Sequence, residues 1–68
     1  MRRRRYEWRG YILYVALVRG KWMTVYDGKC GDQQVAAAGG LKPEMSSAMA
    51  QKRLDDWAAR EGLEEWRP

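Results

Sequence analysis

Residues 11–26 read YILYVALV-RG-KWMTVY, and this stretch decides the fold. The first eight residues are β-branched, aromatic or aliphatic, which favours a strand, and they are apolar at both parities. After Arg19-Gly20 the pattern alternates, so that Trp22 and Met23 point to opposite faces of a second strand. Two strand-like runs separated by a two-residue turn predict an antiparallel hairpin.

The strand pattern extends beyond this hairpin on both sides. We predict strands over about 6–18 and 21–27, with Gly10 marking a bulge or bend in the first. Asp27-Gly28 is a second turn signal. A third strand over about 33–38 is left open, because three of its six residues are alanine, a poor strand former.

A helix is predicted over about 43–61. Pro43 suits the first helical position, and Glu44 complements the helix dipole. Gly62 suits the left-handed position that ends a helix. Within the helix, a core-facing stripe recurs at helical spacing; it consists of Ala50, Leu54, Trp57 and Ala58.

These elements predict an α+β fold: a small antiparallel sheet of two or three strands, covered on one face by one C-terminal helix. Residues 6–68 form this single domain, and residues 1–5 precede it as a basic arm. The other sheet face has no element to cover it. By parity, the aromatic residues expected to share one face are Tyr6, Trp8, Tyr14, Trp22 and Tyr26.

The residue inventory argues against catalysis. The chain has one cysteine, Cys30, and no histidine, so it can form neither an internal disulfide nor a Cys/His zinc site, and Cys30 lacks a histidine base. Asp55 and Asp56 are adjacent on the helix and point in different directions. We expect no enzyme activity, no cofactor and no metal.

The longest apolar run, residues 11–18, is well short of the ~20 residues needed to span a bilayer. No small-residue cleavage site follows it, as one would in a signal peptide. With a single unpaired cysteine, the chain is expected to be cytoplasmic and away from the membrane.

Charge is concentrated at the N-terminal end of the chain. The formal net charge is +4, and Arg2 to Arg5 account for all of it. Residues 1–21 carry seven Arg and Lys against one Glu, whereas residues 22–68 are net negative. Arginine binds phosphate through a bidentate fork, and aromatic residues stack on bases. The predicted binding residues are Arg2, Arg3, Arg4, Arg5, Trp8, Arg9, Arg19, Lys21 and Trp22.

The order of these features resembles known small proteins. Tyr-x-Trp-Arg-Gly-Tyr at residues 6–11, then Lys21-Trp22, Asp27-Gly28 and an Ala-rich helix carrying Trp57, resembles strand–strand–helix proteins of phages and prophages. It is also similar to the DNA-binding arms of tyrosine recombinases, in which a three-stranded sheet lies in the major groove. That resemblance implies that Arg9, Arg19 and Lys21 face nucleic acid. The phage resemblance implies instead an accessory protein that docks on a host complex, as anti-CRISPR proteins do.

The sequence therefore predicts a non-enzymatic binding module that uses its basic arm and aromatic β-surface. Nucleic acid is the preferred partner. One alternative is a phage-type inhibitor docked on an acidic host protein surface. The other is a structural homodimer whose uncovered sheet faces pack together.

Overall fold

A computed structural model describes residues 3–67 and confirms the α+β architecture. A five-stranded antiparallel sheet packs against one helix, α1, at Ser47–Glu61. In chain order the strands are β1 (Arg5–Trp8), β2 (Tyr11–Val18), β3 (Lys21–Asp27), β4 (Gln33–Val35) and β5 (Glu65–Trp66), and across the sheet they run β4-β3-β2-β1-β5. None of the helical structure within residues 3–67 is long and apolar enough to cross a membrane.

Two tight turns shape the centre of the sheet. The predicted hairpin at Arg19-Gly20 is confirmed, and a second one replaces the bend expected at Gly10. In each turn arginine and glycine both have positive φ, 50° and 82° at Arg9-Gly10 and 50° and 80° at Arg19-Gly20. Positive φ at both central residues defines a type I′ turn, whose twist matches that of the flanking strands. The predicted strand 6–18 is therefore two strands, since Arg9-Gly10 reverses the chain.

The remaining element boundaries also differ from the prediction. The third strand exists but ends at Val35. The helix begins four residues later than predicted, because Glu44 is extended and exchanges two backbone hydrogen bonds with Trp22. Ser46 caps the helix by accepting a hydrogen bond from the Met49 amide. Pro43 and Glu44 therefore do not form its first turn.

The end of the helix follows the prediction. Gly62 adopts the left-handed conformation, and its amide reaches the carbonyl oxygens at the end of α1. This cap turns the chain back towards β1, where Glu65 and Trp66 pair with Tyr6 and Arg5. The short strand β5 was not predicted.

The core lies between α1 and one face of the sheet. All four residues of the predicted helical stripe are buried; the helix contributes Ala50, Leu54, Trp57 and Ala58. Leu13, Val15 and Tyr6 pack against them from the sheet. The predicted aromatic face needs one correction: register pairs Leu13 with Tyr6 and Val15 with Thr24, so Tyr14 lies on the opposite face. Strand alternation therefore keeps Tyr14 out of the core.

Candidate binding face

The sheet face opposite α1 is called the open face here. Register places five polar residues on it, Arg5, Glu7, Lys21, Asp27 and Gln33. It also places eight largely apolar residues there: Ile12, Tyr14, Ala16, Val18, Met23, Val25, Val35 and Trp66. Most of these side chains are half-buried against one another, and Val25 has no exposed surface although no helix covers it. The apolar side chains therefore pack against one another without a second layer, and charged side chains lie among and beside them.

Arg5 lies at the centre of the aromatic part of the open face. Its guanidinium carbon is 5.4 Å from the ring centroid of Tyr14 and 5.9 Å from that of Trp66. Both distances are within the range of cation–π attraction. The Tyr14 hydroxyl donates to Asp27 Oδ1 at 2.8 Å, and this hydrogen bond orients the ring. Arg5 is exposed and has no ion-pair partner among residues 3–67.

The neighbouring arginine has a different role. Arg4 points towards α1, where its side chain is 3.6 Å from Asp55 and 3.3 Å from Glu65, and its carbonyl accepts a hydrogen bond from Gln51. Tyr6 completes this group, the Arg4 cluster, by donating to Asp55 Oδ1 at 2.7 Å. Successive residues of a strand face opposite sides, so anchoring Arg4 on the helix side presents Arg5 on the open face.

The Arg4 cluster also changes the chemistry of Tyr6. Burial, reinforced by the hydrogen bond to Asp55, raises the pKa of Tyr6 from 10.0 to about 12. Both effects disfavour the phenolate, since burial removes water and Asp55 is an anion. Tyr6 is therefore a structural anchor for the beginning of β1.

The other predicted binding residues are divided between two ends of the sheet. Arg9 and Arg19 occupy the turns at opposite ends of β2. Because β2 has eight residues and a strand rises ~3.3 Å per residue, the two turns are about 25 Å apart. Lys21 lies beside Arg19, and its Nζ is 3.3 Å from Met45 Sδ. The structure thus joins Arg19 with Lys21 and separates Arg9 from both.

Both predicted tryptophans lie on the helix side of the sheet. Trp8 is half-buried, with ring centroids 5.6 Å from Tyr26 and 6.1 Å from Trp57. Arg9 lies over Trp8, with its guanidinium carbon 4.8 Å from the ring centroid. Trp22 packs against the edge of the core, and the guanidinium carbon of Arg3 lies 5.1 Å from its ring centroid. Arg2 lies outside the described residues.

Sequence reasoning missed Tyr14 and Trp66 as partners of Arg5. Strand parity would have identified Tyr14 once Arg9-Gly10 was recognised as a turn. Trp66 carries no such signal, because its position depends on the two-residue strand β5.

The open face contains two shallow depressions. One, of about 340 Å³, has Arg5, Tyr14 and Trp66 in its lining; the other, of about 530 Å³, has Arg19, Lys21 and Met23. Residues 3–67 contain no cluster of carboxylate and thiol side chains suited to a metal ion. Comparison with protein families, with curated proteins and with solved structures finds no match for this chain.

Proposed function

We propose that this chain is a non-enzymatic binding module that holds nucleic acid on its open face. The observation that carries the proposal is the position of Arg5, exposed over the rings of Tyr14 and Trp66. A guanidinium beside two aromatic rings offers both contacts that nucleic acids need, an ionic one for phosphate and a stacking one for bases. The cytoplasmic location expected from the sequence belongs to the same proposal.

Charge supports the proposal at the other end of the open face. Arg19 and Lys21 are exposed, and neither forms an ion pair within residues 3–67. In contrast, Lys52, Arg53 and Arg67 are paired with carboxylates, like Arg4. The cations that remain available to a partner therefore include Arg5, Arg19 and Lys21, which lie on or beside the open face.

The test is a titration of fluorescently labelled oligonucleotides at two salt concentrations. Three phosphate contacts, from Arg5, Arg19 and Lys21, give a log–log slope of about −2 for a single strand. Affinity should therefore fall roughly 15- to 20-fold between 50 and 200 mM salt. The absence of binding at the lower concentration would overturn the proposal.

The two type I′ turns provide a matched control for the position of the site. Arg19→Gln and Arg9→Gln remove the same charge from the same backbone geometry, with φ of 50° at both positions. Arg19→Gln should weaken binding and lower the salt slope by about 0.7. Arg9→Gln should change both much less, and equal losses would show that binding follows net charge and not the open face.

A second candidate function is docking on a host protein, the alternative implied by the phage resemblance. Exposed apolar side chains near Trp22 favour it: Leu17 is 57% exposed, Met45 77% and Met49 47%. Methionine suits adaptable protein contacts, and exposed apolar patches commonly mark interaction sites. Poly-glutamate in the same titration tests the acidic-surface version. Poly-glutamate binding without oligonucleotide binding would support the second candidate, and equal binding of both would indicate a charge-only surface.

The homodimer remains a third proposal, in which two open faces pack together. Light scattering tests it directly, because a dimer doubles the scattering mass. Val35→Lys places a charge on the open face, where Val35 is 49% exposed, and would dissociate such a dimer. A monomer at all concentrations would exclude it.

A further inference from the structure

The open face has a chemical polarity along β2. Tyr14 and Trp66 lie at one depression, and Arg19 and Lys21 lie at the other. Tyr14 and Val18 are four residues apart on β2, which separates the two depressions by about 13 Å. Asp27 also lies at the aromatic end, and its carboxylate accepts a hydrogen bond from the Tyr14 hydroxyl. Phosphates are therefore favoured at the Arg19 end, and uncharged ring systems at the Trp66 end.

The width of the sheet limits which nucleic acid can lie on it. Five strands at ~4.8 Å spacing extend about 19 Å across. The major groove of B-form DNA is only about 12 Å wide, which is narrower than the full five-stranded sheet. A duplex would meet this face only through its backbone.

The aromatic rings point to a strand whose bases are free. Bases within a duplex are stacked on one another and cannot lie flat on protein rings, whereas the bases of a single strand can. The depression beside Trp66 has a volume of about 340 Å³, at the lower end of the range for small-ligand sites. It lies open to solvent on the helix-free side, where a base can enter without displacing an element.

We infer that the ligand of the open face is a single strand of nucleic acid, with a base stacked on Trp66 and Tyr14 and its phosphates directed towards Arg19 and Lys21. This inference rests on the proposed function and specifies its ligand. Arg5 connects the two contacts, because its guanidinium already lies over both rings and remains free to reach a phosphate. Stacking on such side chains accepts any base, because every base has a π-face.

The test compares four probes on the wild-type protein at one salt concentration: oligo-dT, oligo-U, an abasic strand and a duplex, each about ten nucleotides long. The abasic strand has the same phosphates as oligo-dT and lacks the bases. Stacking of one base should make oligo-dT bind about tenfold or more tightly than the abasic strand. Oligo-U, which carries the 2′-hydroxyl and lacks the thymine methyl group, should bind with an affinity similar to that of oligo-dT, because stacking accepts any base.

Two variants of Trp66 locate the stacked base. Trp66→Phe keeps an aromatic ring and should retain most of the preference for oligo-dT over the abasic strand. Trp66→Leu removes the ring and should abolish that preference, with thermal unfolding used to show that β5 still holds. A preference that persists in a folded Trp66→Leu variant would overturn the stacking position.

The outcomes separate this inference from the proposed function. If oligo-dT, the abasic strand and the duplex all bind equally, the single-strand inference fails while nucleic-acid binding stands. If no probe binds at low salt, both fail. A preference for the duplex would also overturn the inference.

Discussion

The wild-type protein should lose stability at alkaline pH because Tyr6 is buried and bonded within the Arg4 cluster. Replacing Tyr6 with phenylalanine should remove this loss. In the folded chain the pKa of Tyr6 is about 12, against 10.0 for an unperturbed tyrosine. The unfolded chain therefore loses this proton at lower pH than the folded chain does. Stability from Tyr6 is fully present below pH 10 and decreases as the pH rises towards 12.

The size of the effect follows from these two pKa values. Between pH 9 and pH 11 the free energy of unfolding should fall by about 1 kcal/mol through Tyr6 alone. A domain of 68 residues has a total stability of about 3–10 kcal/mol, so this is a measurable fraction. Tyr6→Phe also loses the hydrogen bond to Asp55, which lowers its stability at neutral pH by about 1 kcal/mol.

Urea unfolding at pH 9, 10 and 11, followed by tryptophan fluorescence, measures the effect. The quantity to compare is the difference in unfolding free energy between wild type and Tyr6→Phe, which cancels the titration of lysines and other shared groups. This difference should shrink towards zero as the pH rises. Tyr14→Phe is the control, because it retains Tyr6 and should lose stability as wild type does.

One result would refute the reasoning. If the difference between wild type and Tyr6→Phe were constant from pH 9 to pH 11, the Tyr6 proton would titrate alike in both states. The hydroxyl would then be neither buried nor bonded to Asp55. The Arg4 cluster would then lack its contact between Tyr6 and Asp55, and Tyr6 would not anchor the beginning of β1.

Three further predictions concern the fold. Leu54→Ala leaves a cavity at a position with no exposed surface and should lower the free energy of unfolding, measured with urea, by about 2–5 kcal/mol. Met49→Ala, at a half-exposed position, should lower it far less. Ser46→Ala should cost about 1 kcal/mol by removing the helix cap; Pro43→Ala in the same assay should cost less, and a reversed order would contradict the observed helix start. Arg19→Asn should raise the unfolding free energy by a few tenths of a kcal/mol, because asparagine tolerates the φ of 50° better than arginine, and a loss of stability would argue against the type I′ turn.

Local patterns predicted the elements that local energetics control. Alternation and β-branching identified the β2–β3 hairpin, and helical spacing identified the buried stripe that contains Leu54 and Trp57. The helix start was placed too early because Pro43 and Glu44 suit a first turn by their own preferences. In the folded chain the backbone of Glu44 pairs with that of Trp22 instead, and this tertiary contact overrides the local preference.

The candidate site was less accessible to sequence reasoning. A run of four arginines looks uniform, yet the fold assigns Arg4 and Arg5 to opposite faces and different tasks. Recognising Arg9-Gly10 as a turn would have revealed the face of Tyr14. Trp66 reaches Arg5 only because Gly62 turns the chain back along β1, and no local pattern encodes that pairing.

The α+β class, with a helix on one face of a sheet, follows from the amino-acid sequence, because strand and helix periodicities act over a few neighbouring residues. The sequence by itself also determined that the excess positive charge lies near the N-terminus. Only the tertiary structure decided which cations are available. Arg4 is bound by Asp55 and Glu65, residues 51 and 61 positions away along the chain. Arg5 lies beside Tyr14 and Trp66 and has no ion pair within residues 3–67. Contacts between such distant residues depend on how the elements pack, and packing is a property of the whole fold.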